Sequence, residues 1–228
     1  MIFRQLLDRP SGSYTYLVAR RSGGEAMLVD PLPEHMGTYL ALLAELDVRL
    51  RYAVVTHTHG PQPALAELAA RTGCETVAGE PCPDASVARR VADGEWLDLD
   101  RMLVQALATP GHTPDSFSFA MNDLCFTGDT LLIRSTGRTD LEGGDALAQY
   151  RSLFDVLLWL PDQVLVYPAH DYKGWTCSSI AEEKAYNPRL RIASAERYAE
   201  LMGGLAIADP ALMDLAAPAG PPFGPAPG

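Results

Sequence analysis

The chain has 228 residues, of which 47% are hydrophobic, and 29 acidic against 18 basic residues give it a formal net charge of −11. This length and apolar content suit one domain with a sizeable core. The negative charge argues against a surface for nucleic acid or for an anionic membrane, so a small molecule is the expected partner.

The first third of the chain predicts alternating strands and helices. Two apolar runs joined by a polar turn are typical of a β-hairpin. Apolar residues at helical spacing follow, then a short apolar run typical of a buried strand, then a helix that begins at a proline and ends at a glycine. In chain order these elements cover residues 14–19 with 26–30, 34–46, 52–55 and 63–73.

The rest of the chain predicts further strands and then mainly helices. The predicted strands are 102–107, 117–121, 124–127 and 164–167, and the predicted helices are 145–160, 179–186 and 194–202. Strand pairs, crossover helices and further strands suggest two sheets covered by helices, although the pattern alone fits a doubly wound α/β sheet equally well. We expect one domain over 1–215. Residues 216–228 are rich in Pro, Gly and Ala and predict a disordered tail.

The start of the chain and its cysteines bear on the compartment. Residues 1–8 lack a basic region followed by a long apolar core, and no stretch approaches the ~20 apolar residues of a membrane span. The four cysteines show no Cys-x-x-Cys spacing, which fits a reducing compartment. We therefore predict a soluble, cytoplasmic protein without a membrane partner. The sequence leaves the oligomeric state open, a homodimer included.

Histidines and one aspartate follow several predicted strands. His57 and His59 come directly after the 52–55 strand, where side chains of an α/β sheet emerge into the ligand crevice. His112 lies in the loop Thr-Pro-Gly-His-Thr-Pro, Asp129 ends the segment Phe-Thr-Gly-Asp, and His170 follows the last strand in Tyr-Pro-Ala-His-Asp-Tyr-Lys. Each alone has an ordinary structural interpretation, such as a turn-capping aspartate or a loop histidine.

Together and in this order, these segments resemble the metal-binding motifs of the metallo-β-lactamase superfamily, and the resemblance extends over about residues 1–188. Within that superfamily the flanking sequences resemble persulfide dioxygenases more than glyoxalase II hydrolases. The matching stretches are 1–6, 108–114, 126–129, 132–134, 137–140, 167–174, 182–184 and 187–190. The resemblance implies an α/β fold, the αββα sandwich of the metallo-β-lactamase type.

The resemblance also implies a metal site and its ligands. It assigns one Fe(II) per chain to His57, His112 and Asp129, which would then be both metal ligands and catalytic residues. Two imidazoles and one carboxylate form a facial set that leaves open positions for substrate and O₂. It places His59 and His170 beside the ligands, where they could orient ligands or waters or serve only as structural hydrogen-bond partners.

Three positions depart from the family pattern. Pro61 and Gln62 stand where the His-x-His-x-Asp-His motif has its Asp and second-half His, so the ligands of a second metal are missing. Thr136 stands where close relatives often have a cysteine. We expect one metal ion rather than two, and either change could alter the substrate or abolish activity.

Basic and aromatic residues near the predicted site are candidates for substrate binding. Arg138 can contact a carboxylate through two hydrogen bonds, Lys173 supplies a point charge, and Tyr172 can stack or donate a hydrogen bond. A surface salt bridge is the ordinary alternative for each charge. The resemblance favours glutathione binding by these three residues.

The leading functional hypothesis is an iron-dependent dioxygenase that converts glutathione persulfide and O₂ to sulfite and glutathione. A thioester hydrolase of the glyoxalase II type is the first alternative. It relies on metal-bound hydroxide, usually between two metals, so the missing second-metal ligands argue against it. The second alternative is a non-catalytic binding protein that keeps the fold, for which the incomplete motif is the main support.

Overall fold

The structure, a computed structural model, describes residues 1–192 and 194–205. Its strands are β1 Ile2–Asp8, β2 Ser13–Ala19, β3 Glu25–Val29, β4 Arg49–Val54, β5 Glu75–Gly79, β6 Arg89–Val91, β7 Trp96–Leu99, β8 Met102–Ala108, β9 Phe117–Met121, β10 Leu124–Gly128, β11 Leu131–Leu132, β12 Ser135–Thr136, β13 Leu165–Pro168 and β14 Ser178–Ser179. Its α-helices are α1 Met36–Glu45, α2 Pro63–Thr72, α3 Ala146–Arg151, α4 Ile180–Tyr186 and α5 Ala195–Gly203.

Two six-stranded sheets face each other. The first has the order β1-β2-β3-β4-β5-β6, and the second has the order β14-β13-β10-β9-β8-β7. A two-stranded ribbon of β11 and β12 lies outside both sheets. The layers are those of the predicted αββα sandwich, and the alternative of one doubly wound sheet is wrong.

Three apolar clusters hold the layers together. The largest lies between the sheets and includes Tyr16 and Val18 of β2 together with Phe119 and Phe126 of the second sheet. A second cluster packs α1 and α2 on the outer face of the first sheet, and a third packs α3 to α5 on the second. Because both faces of β2 are covered, its seven residues are all buried, which explains its mostly apolar sequence.

Several sequence predictions are confirmed. The hairpin of β2 and β3 forms an antiparallel pair, and α2 begins at Pro63. Gly73 follows α2 with φ of 72°, the left-handed conformation that favours glycine at a helix end. The helix predicted over 34–46 is split into a short 3₁₀ turn and α1.

Other predictions are wrong or incomplete. Strand β1, which pairs with β2 along its whole length, was not predicted, because its residues are only half-buried and do not alternate clearly. Strands β5, β6 and β7 were also missed. The single helix expected over 145–160 ends at Arg151 and continues as a wider π turn and a 3₁₀ turn. This path keeps Leu153 and Leu157 buried and leaves Trp159 81% exposed.

The length of the helices and the end of the described ranges bear on two further predictions. None of the helices in the described ranges is long and apolar enough to cross a lipid bilayer. Residues 206–228 lie outside the described residues, and they include the predicted tail 216–228 and the end of the predicted domain 1–215. Both boundaries therefore stay predictions.

Candidate metal centre

The residues of the candidate site converge because they follow the ends of strands. His57 comes three residues after β4, Asp129 directly after β10 and His170 two residues after β13. His112 lies in the loop between β8 and β9. The ends of strands from both sheets thus meet at one edge of the sandwich, and they bring together residues that are far apart in sequence.

The distances among these side chains suit one metal ion. Nε2 of His57 and Nε2 of His112 lie 3.7 and 3.5 Å from Oδ2 of Asp129. Nε2 of His59 lies 2.9 Å from Nε2 of His112. One potential ligand atom from each of these four residues lies within 4.8 Å of the others. Ligand atoms that share one ion, with bonds of about 2 Å, lie about 3–4 Å apart, so the distances from His57 and His112 to Asp129 fit a mononuclear centre.

Burial and charge give these groups the protonation states that metal binding requires. Burial lowers the pKa of His57 to about 3, so its imidazole is neutral. Burial alone would raise the pKa of Asp129, but the imidazole of His170, followed by those of His57 and His112, lowers this pKa well below its usual range. A neutral imidazole and an ionised carboxylate are the forms that bind a metal.

Hydrogen bonds fix the orientation of two imidazoles. Nδ1–H of His112 donates to the backbone oxygen of Arg138 at 2.7 Å, which leaves its Nε2 unprotonated. The Thr56 hydroxyl donates to the carboxylate of Asp30 and therefore accepts from Nδ1–H of His57 at 3.0 Å. Both Nε2 atoms are thereby available as ligands. Sequence analysis missed Asp30 and Thr56, although an aspartate that ends a strand was visible.

Gly137 packs directly against the site. A Cβ atom on this residue would lie 1.9 Å from the backbone oxygen of Asp129 and 3.1 Å from Nδ1 of His112. The loop after β12 can therefore close on the metal ligands only with glycine here. One signal is present in the sequence, the Gly-Arg-Thr-Asp stretch that resembles the family, but the packing role of its glycine becomes visible only in the fold.

The structure places the two remaining histidines differently. Nδ1 of His170 lies 2.8 Å from Oδ1 of Asp129, and its predicted place beside the metal ligands stays a prediction. His59 is exposed, yet its Nε2 lies among the ligand atoms. Its predicted place beside the ligand set stays a prediction, because the geometry also suits a fourth ligand.

The predicted substrate-binding residues border this site. Nε and Nη2 of Arg138 each donate to Asp140 at 2.6 Å, so a substrate carboxylate would bind beside or in place of Asp140. The ring of Tyr172 stacks on the imidazole of His170, with centroids 6.1 Å apart. Lys173 is exposed on the same loop. Their roles in substrate binding stay predictions.

Gln62 lines a small cavity next to the histidines. This cavity has a volume of about 160 Å³, and its walls also include Asp30, His57, His59 and His170. The side-chain amide of Gln62 donates to a backbone carbonyl, that of Gly60, at 3.2 Å. A neutral amide thus occupies the position of a motif histidine. Among the described residues, one group of three or more His, Cys, Asp or Glu has metal-binding spacing.

Comparisons with known proteins agree with this geometry. Residues 79–170 match the model of the metallo-β-lactamase superfamily. The human mitochondrial persulfide dioxygenase ETHE1 is 38% identical over 223 residues, which cover 96% of this chain and 87% of the human protein. The chain belongs to the persulfide dioxygenase family of the metallo-β-lactamase superfamily.

Solved structures agree with this assignment of family and fold. The crystal structure of ETHE1 from Myxococcus xanthus is 42% identical, covers 96% of this chain and 97% of its own, and superposes with a TM-score of 0.87. A metallo-β-lactamase from Staphylococcus aureus is 22% identical, covers 92% of this chain and 68% of its own, and has a TM-score of 0.80. The second similarity concerns the fold alone.

Proposed function

We propose that the protein is an Fe(II)-dependent persulfide dioxygenase, which converts glutathione persulfide, O₂ and water to glutathione and sulfite. The observation that carries the proposal is the mononuclear donor group around Asp129 in a chain that is 38% identical to the human persulfide dioxygenase. Pro61 offers no ligand atom and Gln62 offers only an amide, which supports one metal ion over two.

The donor atoms fit Fe(II). Imidazole nitrogens and a carboxylate oxygen form the group, without a thiolate, and this composition suits non-heme iron with open positions. We assign the ligands to His57, His112 and Asp129. Held by these residues, Fe(II) would supply open positions for substrate and the electrons that activate O₂.

The protein contributes orientation and charge. His170 binds Oδ1 of Asp129, so Oδ2 is the oxygen that faces the imidazoles of His57 and His112. His112 and Asp129 are buried, at 3% and 9% exposed, which limits the access of bulk water to the ligand atoms. The proposed reaction needs no side-chain nucleophile, and none of the four cysteines belongs to the metal-binding group.

Arg138, with Tyr172 and Lys173, would hold the glutathione part of the substrate. An anionic ligand of a protein with net charge −11 requires local positive charge, and Arg138 lies next to the metal ligands because its backbone oxygen binds His112. A side-chain substitution leaves that backbone contact in place. Substrate binding and metal binding can therefore be separated experimentally.

Arg138→Ala should raise the KM for glutathione persulfide about tenfold or more without lowering the iron content, because a lost charge-assisted hydrogen bond costs about 1.5–3 kcal/mol. Steady-state kinetics with metal analysis measures both quantities. Asp140→Asn is the matched control: it keeps the arginine but weakens its ion pair, so KM should stay equal or fall. Unchanged kinetics in Arg138→Ala would remove this residue from the substrate site.

The reaction itself is tested with an oxygen electrode. Fe(II)-loaded protein should consume O₂ when glutathione persulfide is added and should release sulfite in equal amount, with about one iron per chain. Hydrolysis of S-lactoylglutathione, measured in parallel, should be absent. Hydrolysis without O₂ uptake, together with two metal ions per chain, would favour the hydrolase, and a chain that binds no metal would favour the non-catalytic binding protein.

We also infer a cytoplasmic location and retain the homodimer as an open part of the proposal. All four cysteines are free thiols in the structure, which supports a reducing compartment. The human relative is named as mitochondrial, so the location of this chain has to be determined for itself. Sedimentation analysis of the purified protein measures the oligomeric state.

A further inference from the structure

Asp115 is a buried carboxylate outside the ligand group, and it joins the two loops that carry the metal-binding histidines. It is 4% exposed. Its Oδ2 accepts from the hydroxyl of Thr58 at 2.5 Å, and its Oδ1 accepts from the hydroxyl of Thr113 at 2.7 Å. Thr58 lies between His57 and His59, and Thr113 directly follows His112. Each hydroxyl is therefore one residue away from a candidate ligand.

The two hydrogen bonds from the threonine hydroxyls to Asp115 are short and strong. Hydroxyl groups that donate to a buried carboxylate form short bonds of about 2.5–2.7 Å, roughly twice as strong as those between neutral groups. The backbone nitrogen of Thr58 also faces Oδ1 of Asp115, at 3.4 Å. A backbone bond from Phe117 to Thr56, at 2.7 Å, joins the same two segments at a second point. Neither loop can shift without breaking these bonds.

The altered motif explains why such a connection matters here. Pro61 and Gln62 provide no ligands for a second metal, so metal coordination cannot anchor the loop beyond His59. The backbone nitrogen of Gln62 donates instead to Asp84, at 2.6 Å, which fixes only the far end of the loop. The part that contains the histidines is held by the bonds of Thr56 to Phe117 and Asp30 and, between the two histidines, by the bond of Thr58 to Asp115.

We propose that Asp115 is a positioning residue that sets the separation of His57 and His112 through Thr58 and Thr113, and thereby sets the metal affinity of the site. The inference rests on the proposed function only in requiring that these histidines bind the metal. Thr58 and Thr113 then have defined roles. The hydroxyl of each binds one carboxylate oxygen of Asp115 and so fixes the loop to which it belongs.

Co(II) is the probe, because its visible spectrum reports the geometry of its ligands and competition with a chelator reports its affinity. Asp115→Ala should raise the dissociation constant for Co(II) about tenfold to a hundredfold, as expected when a residue that orients metal ligands is removed, and should change the spectrum. Thr58→Val and Thr113→Val should each have a smaller effect in the same direction. Thr58→Ser and Thr113→Ser keep the hydroxyl and should restore wild-type affinity.

Thr76→Val is the matched control, because Thr76 is a buried threonine whose hydroxyl bonds to the backbone of Ser86 and Ala88 and not to Asp115. It should leave affinity and spectrum unchanged. Wild-type affinity and spectrum in a folded Asp115→Ala protein would overturn the inference. If that variant does not fold, equal Co(II) affinities of the valine and serine variants at positions 58 and 113 would overturn the inference. Failure of wild-type protein to bind either Co(II) or Fe(II) would instead overturn the metal site itself.

Discussion

His112→Ala should abolish iron binding and, with it, O₂ consumption. The imidazole is 3% exposed and its orientation is fixed by the backbone oxygen of Arg138, so the substitution removes a ligand atom that the fold holds in place. Loss of one of three ligands should reduce the iron content from about one per chain to a small fraction of that. Metal analysis of protein purified and reloaded with Fe(II) without O₂ measures this effect, alongside oxygen-electrode turnover.

Two further histidine variants complete this experiment, one as a control and one to determine the role of His59. His35→Ala removes an imidazole that pairs with Asp8, at 2.9 Å, and is not part of the metal group, so it should retain iron and activity. His59→Ala distinguishes the two roles of that residue: iron should remain if His59 only lies beside the ligands, and should be lost as in His112→Ala if it is a fourth ligand. Full iron content in His112→Ala would contradict the assigned site.

Much of the fold could be predicted from the sequence where a periodic pattern coincides with burial. The hairpin of β2 and β3 and helix α2 have clear apolar patterns with turn residues at their ends, and the structure confirms them. Strands β1, β6 and β7 could not be predicted in the same way, because β1 has only half-buried and exposed residues and the other two are only three and four residues long. Each forms by pairing with a strand next to it in the chain: β1 with β2, β6 with β5 and β7 with β8.

The candidate site divides into residues that the sequence indicates and residues that only the fold reveals. His57, His112 and Asp129 could be proposed because their segments resemble, in order, the metal-binding motifs of the superfamily. Asp115 and Gly137 could not, because their importance arises from contacts between loops. Asp115 resembles an ordinary turn residue in sequence, and only the fold brings Thr58 within 2.5 Å of its carboxylate.

Gly137→Ala tests such a contact between loops. The added methyl group would lie 1.9 Å from the backbone oxygen of Asp129 and 3.1 Å from Nδ1 of His112, and the first of these neighbours is backbone and cannot rotate away. Overpacking of this kind typically costs about 1–3 kcal/mol, and the clash here is severe enough to reach or exceed the upper end. Relief requires displacement of Asp129 or His112, so the variant should also lose most of its iron.

Gly37→Ala provides the matched comparison, since it makes the same chemical change at an exposed position of α1 with no atom within 4 Å of the added Cβ. It should raise the free energy of unfolding by about 0.5–1 kcal/mol, because alanine favours the helix more than glycine does, and should leave the iron content unchanged. Urea unfolding of both metal-free variants, followed by iron titration, separates the two contributions. Wild-type stability and full iron content in Gly137→Ala would show that the loop after β12 does not close on the metal ligands, whereas lost iron with retained stability would show that the methyl group is accommodated by moving the ligands themselves.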